Sequence, residues 1–86
     1  MIYNVYTVYD KVAEEAGPPF IAVNDGIARR MFKNMNIPES LKSDYKLVRI
    51  GFYDSKDMQL AIDEPYVITD KAMSDEKFKD DEVKNE

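Results

Sequence analysis

Eighty-six residues with a formal net charge of −5 make one small domain, which buries only about 60% of the surface its unfolded chain exposes. The chain contains no cysteine and no histidine, which excludes disulfide frameworks, thiolate nucleophiles, Cys- or His-based metal sites and a neutral imidazole base. Carboxylates, lysine and tyrosine remain for catalysis, but no Gly-rich phosphate loop or Gly-x-Ser-x-Gly elbow frames them; neither an enzyme nor a cofactor or metal is expected.

Residues 2–9, Ile-Tyr-Asn-Val-Tyr-Thr-Val-Tyr, are almost all β-branched or aromatic and predict an N-terminal strand. Both of its faces are largely apolar, so it is expected to be central in its sheet or covered on both sides. Asp10 to Gly17 reads as polar chain leading into Gly17-Pro18-Pro19, a turn or extended linker. Phe20 to Val23 fits a short second strand. Asn24 and Asp25 offer N-caps for a helix through about Met35, in which Ala28, Met31, Phe32 and Met35 form the apolar stripe and Arg29, Arg30 and Lys33 share the other side.

After Asn36, Ile37 and Pro38 comes a second strong strand, 45–53. Strict alternation places Val48, Ile50 and Phe52 on one face and Tyr45, Leu47, Arg49, Gly51 and Tyr53 on the other. The segment 54–57, Asp-Ser-Lys-Asp, suits a hairpin and Met58 to Ile62 the returning strand; Pro65 interrupts pairing, and Tyr66-Val67-Ile68 reads as a last edge strand. From Asp70 the chain carries seven acids against four lysines and few apolar residues, the composition of a flexible acidic tail. No apolar run approaches the roughly 20 residues of a membrane span, and the N-terminus lacks the features of a signal peptide; a cytoplasmic protein with no membrane partner is expected.

The expected fold is a small α+β domain over residues 1–69, an antiparallel sheet of three to five strands with one helix packed on one face, in the order β-(β)-α-β-β. Its thin core and Tyr-rich first strand favour a homodimer. Two surfaces are candidates for function. Tyr45 and Tyr53 flanking Arg49 would make a platform for unstacked bases, joined by Tyr3, Tyr6 or Tyr9 from a neighbouring strand, although the same tyrosines also suit a core cover or a subunit interface. Arg29, Arg30 and Lys33, extended by Lys46 and Arg49, would track a phosphate backbone, or form an ordinary solvated face. Asp54, Asp57, Asp63 and Glu64 lack the spacing of a calcium loop.

The opening Ile2-Tyr3-Asn4-Val5-Tyr6 with Asp10, then Pro18-Pro19-Phe20, Asn24-Asp25 before Ala28, Arg30 and Phe32, and finally Asp44-Tyr45 to Asp54, resembles in order and spacing the small nonstructural protein of gokushovirus-type microviruses, phages with single-stranded DNA genomes. The resemblance covers roughly residues 1–68. It departs at the hairpin, where the family usually has a second glycine and this chain has Ser55-Lys56-Asp57, and in the acidic tail. It implies a nonstructural protein of the host bacterial cytoplasm, regarded as DNA-binding, with a part in single-stranded DNA synthesis or its coupling to packaging. The phosphate and base contacts would then come from Arg29, Arg30, Lys33, Tyr45, Lys46, Arg49 and Tyr53. The competing expectation is a protein-interaction module that engages the replication initiator, the capsid precursor or a host replication factor, with the tyrosine face as a protein interface.

Overall fold

A computed structural model of the protein describes residues 1–69; the acidic tail lies outside the described residues. The chain forms strands β1 (Ile2–Asp10), β2 (Glu15–Ala16) and β3 (Phe20–Ala22), helix α1 (Asp25–Lys33), a 3-10 helix (Glu39–Asp44), and the long strands β4 (Tyr45–Asp54) and β5 (Gln59–Ile68). All pairings are antiparallel. The sheet runs β2-β1-β4-β5, with β3 also paired to β1, and it curls into a half-barrel. β1 is therefore central, as its two apolar faces lead one to expect, and β5 is an edge.

Three elements depart from the sequence expectation. Asp10 to Gly17, read only as polar chain, is a tight hairpin: Asp10 Oδ1 accepts from the amides of Val12 and Ala13, Glu14 N donates to Asp10 O, and Glu14 takes a left-handed φ of 58° before β2 begins. The β4–β5 hairpin repeats this design, with Asp54 Oδ1 accepting from Lys56 N and Met58 at φ 58°. β1 and β4, both rich in tyrosine and both ending in an aspartate, thus lead into turns of the same kind. The expected strands on either side of Pro65 are one strand, β5, in which Asp63, Glu64 and Pro65 loop out of the ladder opposite Ile50. A proline without an N–H is accommodated at such an irregularity on an edge.

The bulge at Ile50 also corrects the reading of β4. Tyr6 pairs with Arg49 but Val5 pairs with Gly51, so β4 spends one extra residue against a regular β1. An inserted residue reverses the alternation beyond it. Tyr45, Leu47 and Arg49 share a face with Val8 and Tyr6, whereas Tyr53 lies across from Tyr3 on the opposite face, ring centroids 6.4 Å apart. Gly51 marks the place: a Cβ there would lie 2.3 Å from the carbonyl oxygen of Ala61, so only glycine lets β5 approach.

The buried cluster consists of Tyr6, Ala22, Ala28, Phe32, Leu47 and Ile68, with Val8, Phe20, Ile27, Met35, Ile37 and Tyr45 packed against it. Tyr6 is completely buried, its ring 5.8 Å from that of Phe20. On α1, Ala28 and Phe32 are buried as the stripe predicts, but Met31 is exposed and Ile27 takes its place. The helix ends at Lys33, one turn's fraction short of Met35, with Asn34 as its C-cap.

Candidate nucleic-acid interface

The N-terminus of α1 is fixed first. Asn24 Oδ1 accepts from Ile27 N at 2.8 Å, capping the helix. Asp25, at the first helical position, faces the sheet instead: its carboxylate accepts from the Tyr6 hydroxyl at 2.6 Å and from Arg49 Nη1 at 3.2 and 3.3 Å. Asn4 Nδ2 donates to the same Tyr6 oxygen at 2.9 Å. The Arg49 guanidinium lies 5.0 Å from the centre of the Tyr66 ring and 5.9 Å from that of Phe52, with Nε buried and unpartnered. Burial, reinforced by the hydrogen bond to Asp25, pushes the Tyr6 phenol well above its ordinary pKa.

This network joins helix to sheet, and it withdraws Arg49 from the expected phosphate contacts. A guanidinium held by a carboxylate and two rings has spent most of its positive field locally. Tyr6 is likewise unavailable for base stacking because it is interior, and Tyr53 lies on the face of the sheet opposite Tyr45.

What the fold does bring together lies at the other end of α1. A cleft of about 680 Å³ opens between the helix, the 3-10 helix and the sheet, lined by Arg29, Lys33, Lys42 and Lys46, with Glu39 as the one carboxylate among the described residues that line it. Phe32, Leu47 and Ile68 form its apolar floor and Tyr45 part of its wall. Lys42 bridges its two helical sides, Nζ donating to the Lys33 carbonyl at 3.2 Å, where a cation also complements the negative end of the helix dipole. The Arg29 guanidinium sits 5.6 Å from the Phe32 ring centre, and its burial lowers its pKa. Lys46 lines the cleft from β4, but its ammonium lies 5.8 Å from the ring centre of its cross-strand partner Tyr9, on the face of the sheet opposite Tyr45 and Leu47.

Four cations against one acid stand out in a chain of net charge −5. Among the described acids, Asp54 and Asp57 belong to the β4–β5 hairpin at the far end of β4 and Asp63 and Glu64 to the bulge opposite Ile50, whereas Asp10 and Asp44 flank the Tyr45 end. The cleft thus suits a chain of negative charges with flat apolar groups attached. Of the seven residues expected from sequence, Arg29, Lys33, Tyr45 and Lys46 meet here. Arg30 is exposed outside the lining, Arg49 is paired, and Tyr53 is on the other face.

The family described as Phage ORF5 protein matches residues 3–74. The chain belongs to this phage family. The match takes in every strand, the helix and the whole lining of the cleft. Comparison with curated proteins and with solved structures finds no match. In this ORF5 family member no helix among the described residues is long and apolar enough to cross a membrane, and no group of acidic side chains there could hold a metal ion.

Two residues of this region escaped the sequence reading. Lys42 lies between the predicted elements, and only the 3-10 helix returns it to the end of α1; its spacing from Lys33 carries no periodic signal. Asp25 read as a cap, and nothing local tells that an acid at a helix start will meet Tyr6 and Arg49 from two strands.

Proposed function

We propose that this phage protein is a nonenzymatic, nonstructural protein of a gokushovirus-type microvirus that binds single-stranded DNA in the host bacterial cytoplasm and assists genome synthesis or its coupling to packaging. The observation that carries the reading is the concentration of Arg29, Lys33, Lys42 and Lys46 around one cleft with Tyr45 on its wall, in a chain that is otherwise acidic. The cations take the phosphates, and Tyr45 stacks a base, a contact that contributes about 1 to 3 kcal/mol with little sequence preference. Single strands are favoured over duplex because a ring in a cleft needs an unstacked base.

Fluorescence anisotropy with a labelled oligonucleotide at several salt concentrations tests this. Binding should weaken with a log–log slope of about −0.7 per phosphate neutralised, hence about −3 for four contacts. The double substitution Lys33→Ala, Lys42→Ala should flatten that slope by about one to two and weaken binding roughly tenfold at low salt. Absence of saturable binding at low salt would end the proposal.

A second reading draws on β5. Among the described residues its outer edge has no partner strand, and Leu60 (72%) and Ile62 (96%) on it are exposed with Met58 in the preceding turn, the kind of apolar surface that marks protein contacts. In this reading the protein engages the replication initiator, the capsid precursor, a host replication factor or a second copy of itself through that edge. Leu60→Ser with Ile62→Ser should then abolish co-purification of a nuclease-resistant partner, or the dimer in sedimentation, while leaving oligonucleotide binding unchanged.

A further inference from the structure

The sheet is apolar on both sides, and the helix uses one of them. Ala28 and Phe32 of α1 meet Tyr6 and Leu47, and the 3-10 helix stands on that same side across the cleft. Cross-strand partners share a face, so the pairings set out the other side in rows. Ile21, Val5 and, across Gly51, Ile62 make one row, and Tyr3, Tyr53 and Leu60 make the next. Ile21, Leu60 and Ile62 are exposed. Among the described residues paired on this side, Lys46 is the one charged side chain, and it lies at the margin beside Tyr9.

We propose that two copies of the chain pack sheet against sheet through this face, a contact separate from the edge of β5 and independent of the oligonucleotide reading. A sheet with two apolar sides requires a covering layer on each. The helix supplies one layer, and an identical face supplies the other, because a two-fold contact brings like surface to like. Charge favours a second copy and favours the face over the edge. A charged partner finds one lysine to hold, whereas a copy is as uncharged over this area as the surface it covers. Pairing along β5 would instead bring Asp63 and Glu64 of one acidic copy towards those of the other. The area is also sufficient. The face is four strands wide, β3-β1-β4-β5, at about 4.8 Å per strand, and about seven residues long at about 3.3 Å each, hence about 400 Å² in projection. Two copies then cover about 800 Å² or more, the size of a weak, reversible complex. The basic clefts lie on the outer sides of such a pair and stay open.

Sedimentation velocity of the full chain should show a monomer–dimer equilibrium with a dissociation constant on the order of 10 to 100 μM. Salt that releases an oligonucleotide should leave this dimer intact, because its contacts are apolar. Ile21→Lys, on the opposite side of the sheet from β5, buries an unpaired charge in each copy and should weaken the dimer at least about tenfold, with thermal unfolding as the control for folding. The unsubstituted protein gives a second measurement. In a mixture of carbon-13-labelled and unlabelled chains, isotope-filtered NOEs should run from the Ile21 and Ile62 methyls to the other copy. A monomer at all concentrations up to about 500 μM overturns the proposal, as do dissociation by salt, a dimer indifferent to Ile21→Lys, or NOEs confined to residues 59–68, which would mean pairing at the edge. The two readings fail separately: a dimer that binds no oligonucleotide keeps the face and removes DNA, and a monomer that binds oligonucleotide does the reverse.

Discussion

The two ends of β4 are chemically opposite, although they belong to one continuous strand. From Tyr45 to Arg49 its side chains enter the buried cluster, the Asp25 network and the basic cleft. From Gly51 to Asp54 they lie beside exposed, acidic chain, with Leu60 and Ile62 uncovered on the neighbouring strand. The division falls at the bulge of Ile50. A single inserted residue decides which side chains look at the helix, and so decides which tyrosine can serve the cleft.

Breaking the hinge between the two ends should have the largest effect. Gly51→Ala places a Cβ against the Ala61 carbonyl, and overpacking against backbone that cannot retreat should cost about 3 kcal/mol or detach β5. Urea denaturation reads the first outcome and amide exchange in residues 59–68 the second.

Next comes the network that serves only the Tyr45 end. Tyr6→Phe leaves Asn4 without its acceptor and Asp25 without its shortest hydrogen bond, and should cost about 1 to 3 kcal/mol. Its pH dependence is a sharper signature. The Tyr6 phenol titrates above its ordinary 10.0 when folded, so the folded state favours the protonated form. This contribution is complete below about pH 10, and stability falls as the pH rises beyond that value. Tyr6→Phe should remove that part of the alkaline loss, measurable as a shallower fall in Tm between about pH 9.5 and 11.

At the opposite end, Met58→Gly should raise stability by about 0.5 to 1 kcal/mol, because glycine adopts the left-handed φ of 58° without a Cβ clash. The smallest effect should be the most discriminating for function. Tyr53→Ala should leave oligonucleotide affinity unchanged while Tyr45→Ala weakens it, and equal losses would mean that the two faces of β4 do not divide as described.

Much of this was legible in the sequence because it is governed by local rules. The β-branched and aromatic run of β1, the Asn24 cap and the stripe of Ala28 and Phe32 each follow from side-chain chemistry and period. β2 was missed because its two residues, Glu15 and Ala16, are held by the turn chemistry of Asp10 and not by apolar content. The tyrosine and arginine face of β4 was misread for a non-local reason. Period-two alternation is a rule for an unbroken strand, and the break arises where β5 presses on Gly51. A glycine within an otherwise apolar strand was the available signal. Lys42 and Asp25 acquire their roles only when separate segments meet, which composition and spacing do not encode.

The looped-out Asp63, Glu64 and Pro65 have one more consequence, for what the protein avoids. An edge strand with Leu60 and Ile62 in the open is a template for runaway sheet extension. The interruption splits that template into the short stretches 59–62 and 66–68, too brief and too differently aligned for one foreign strand to pair along both. Asp63 and Glu64 repel another copy of this acidic chain, and Pro65 offers no N–H with which to pair. The edge can thus accept one partner of limited length while the growth of a fibril is blocked, which matters for a protein synthesised in a crowded, infected cell.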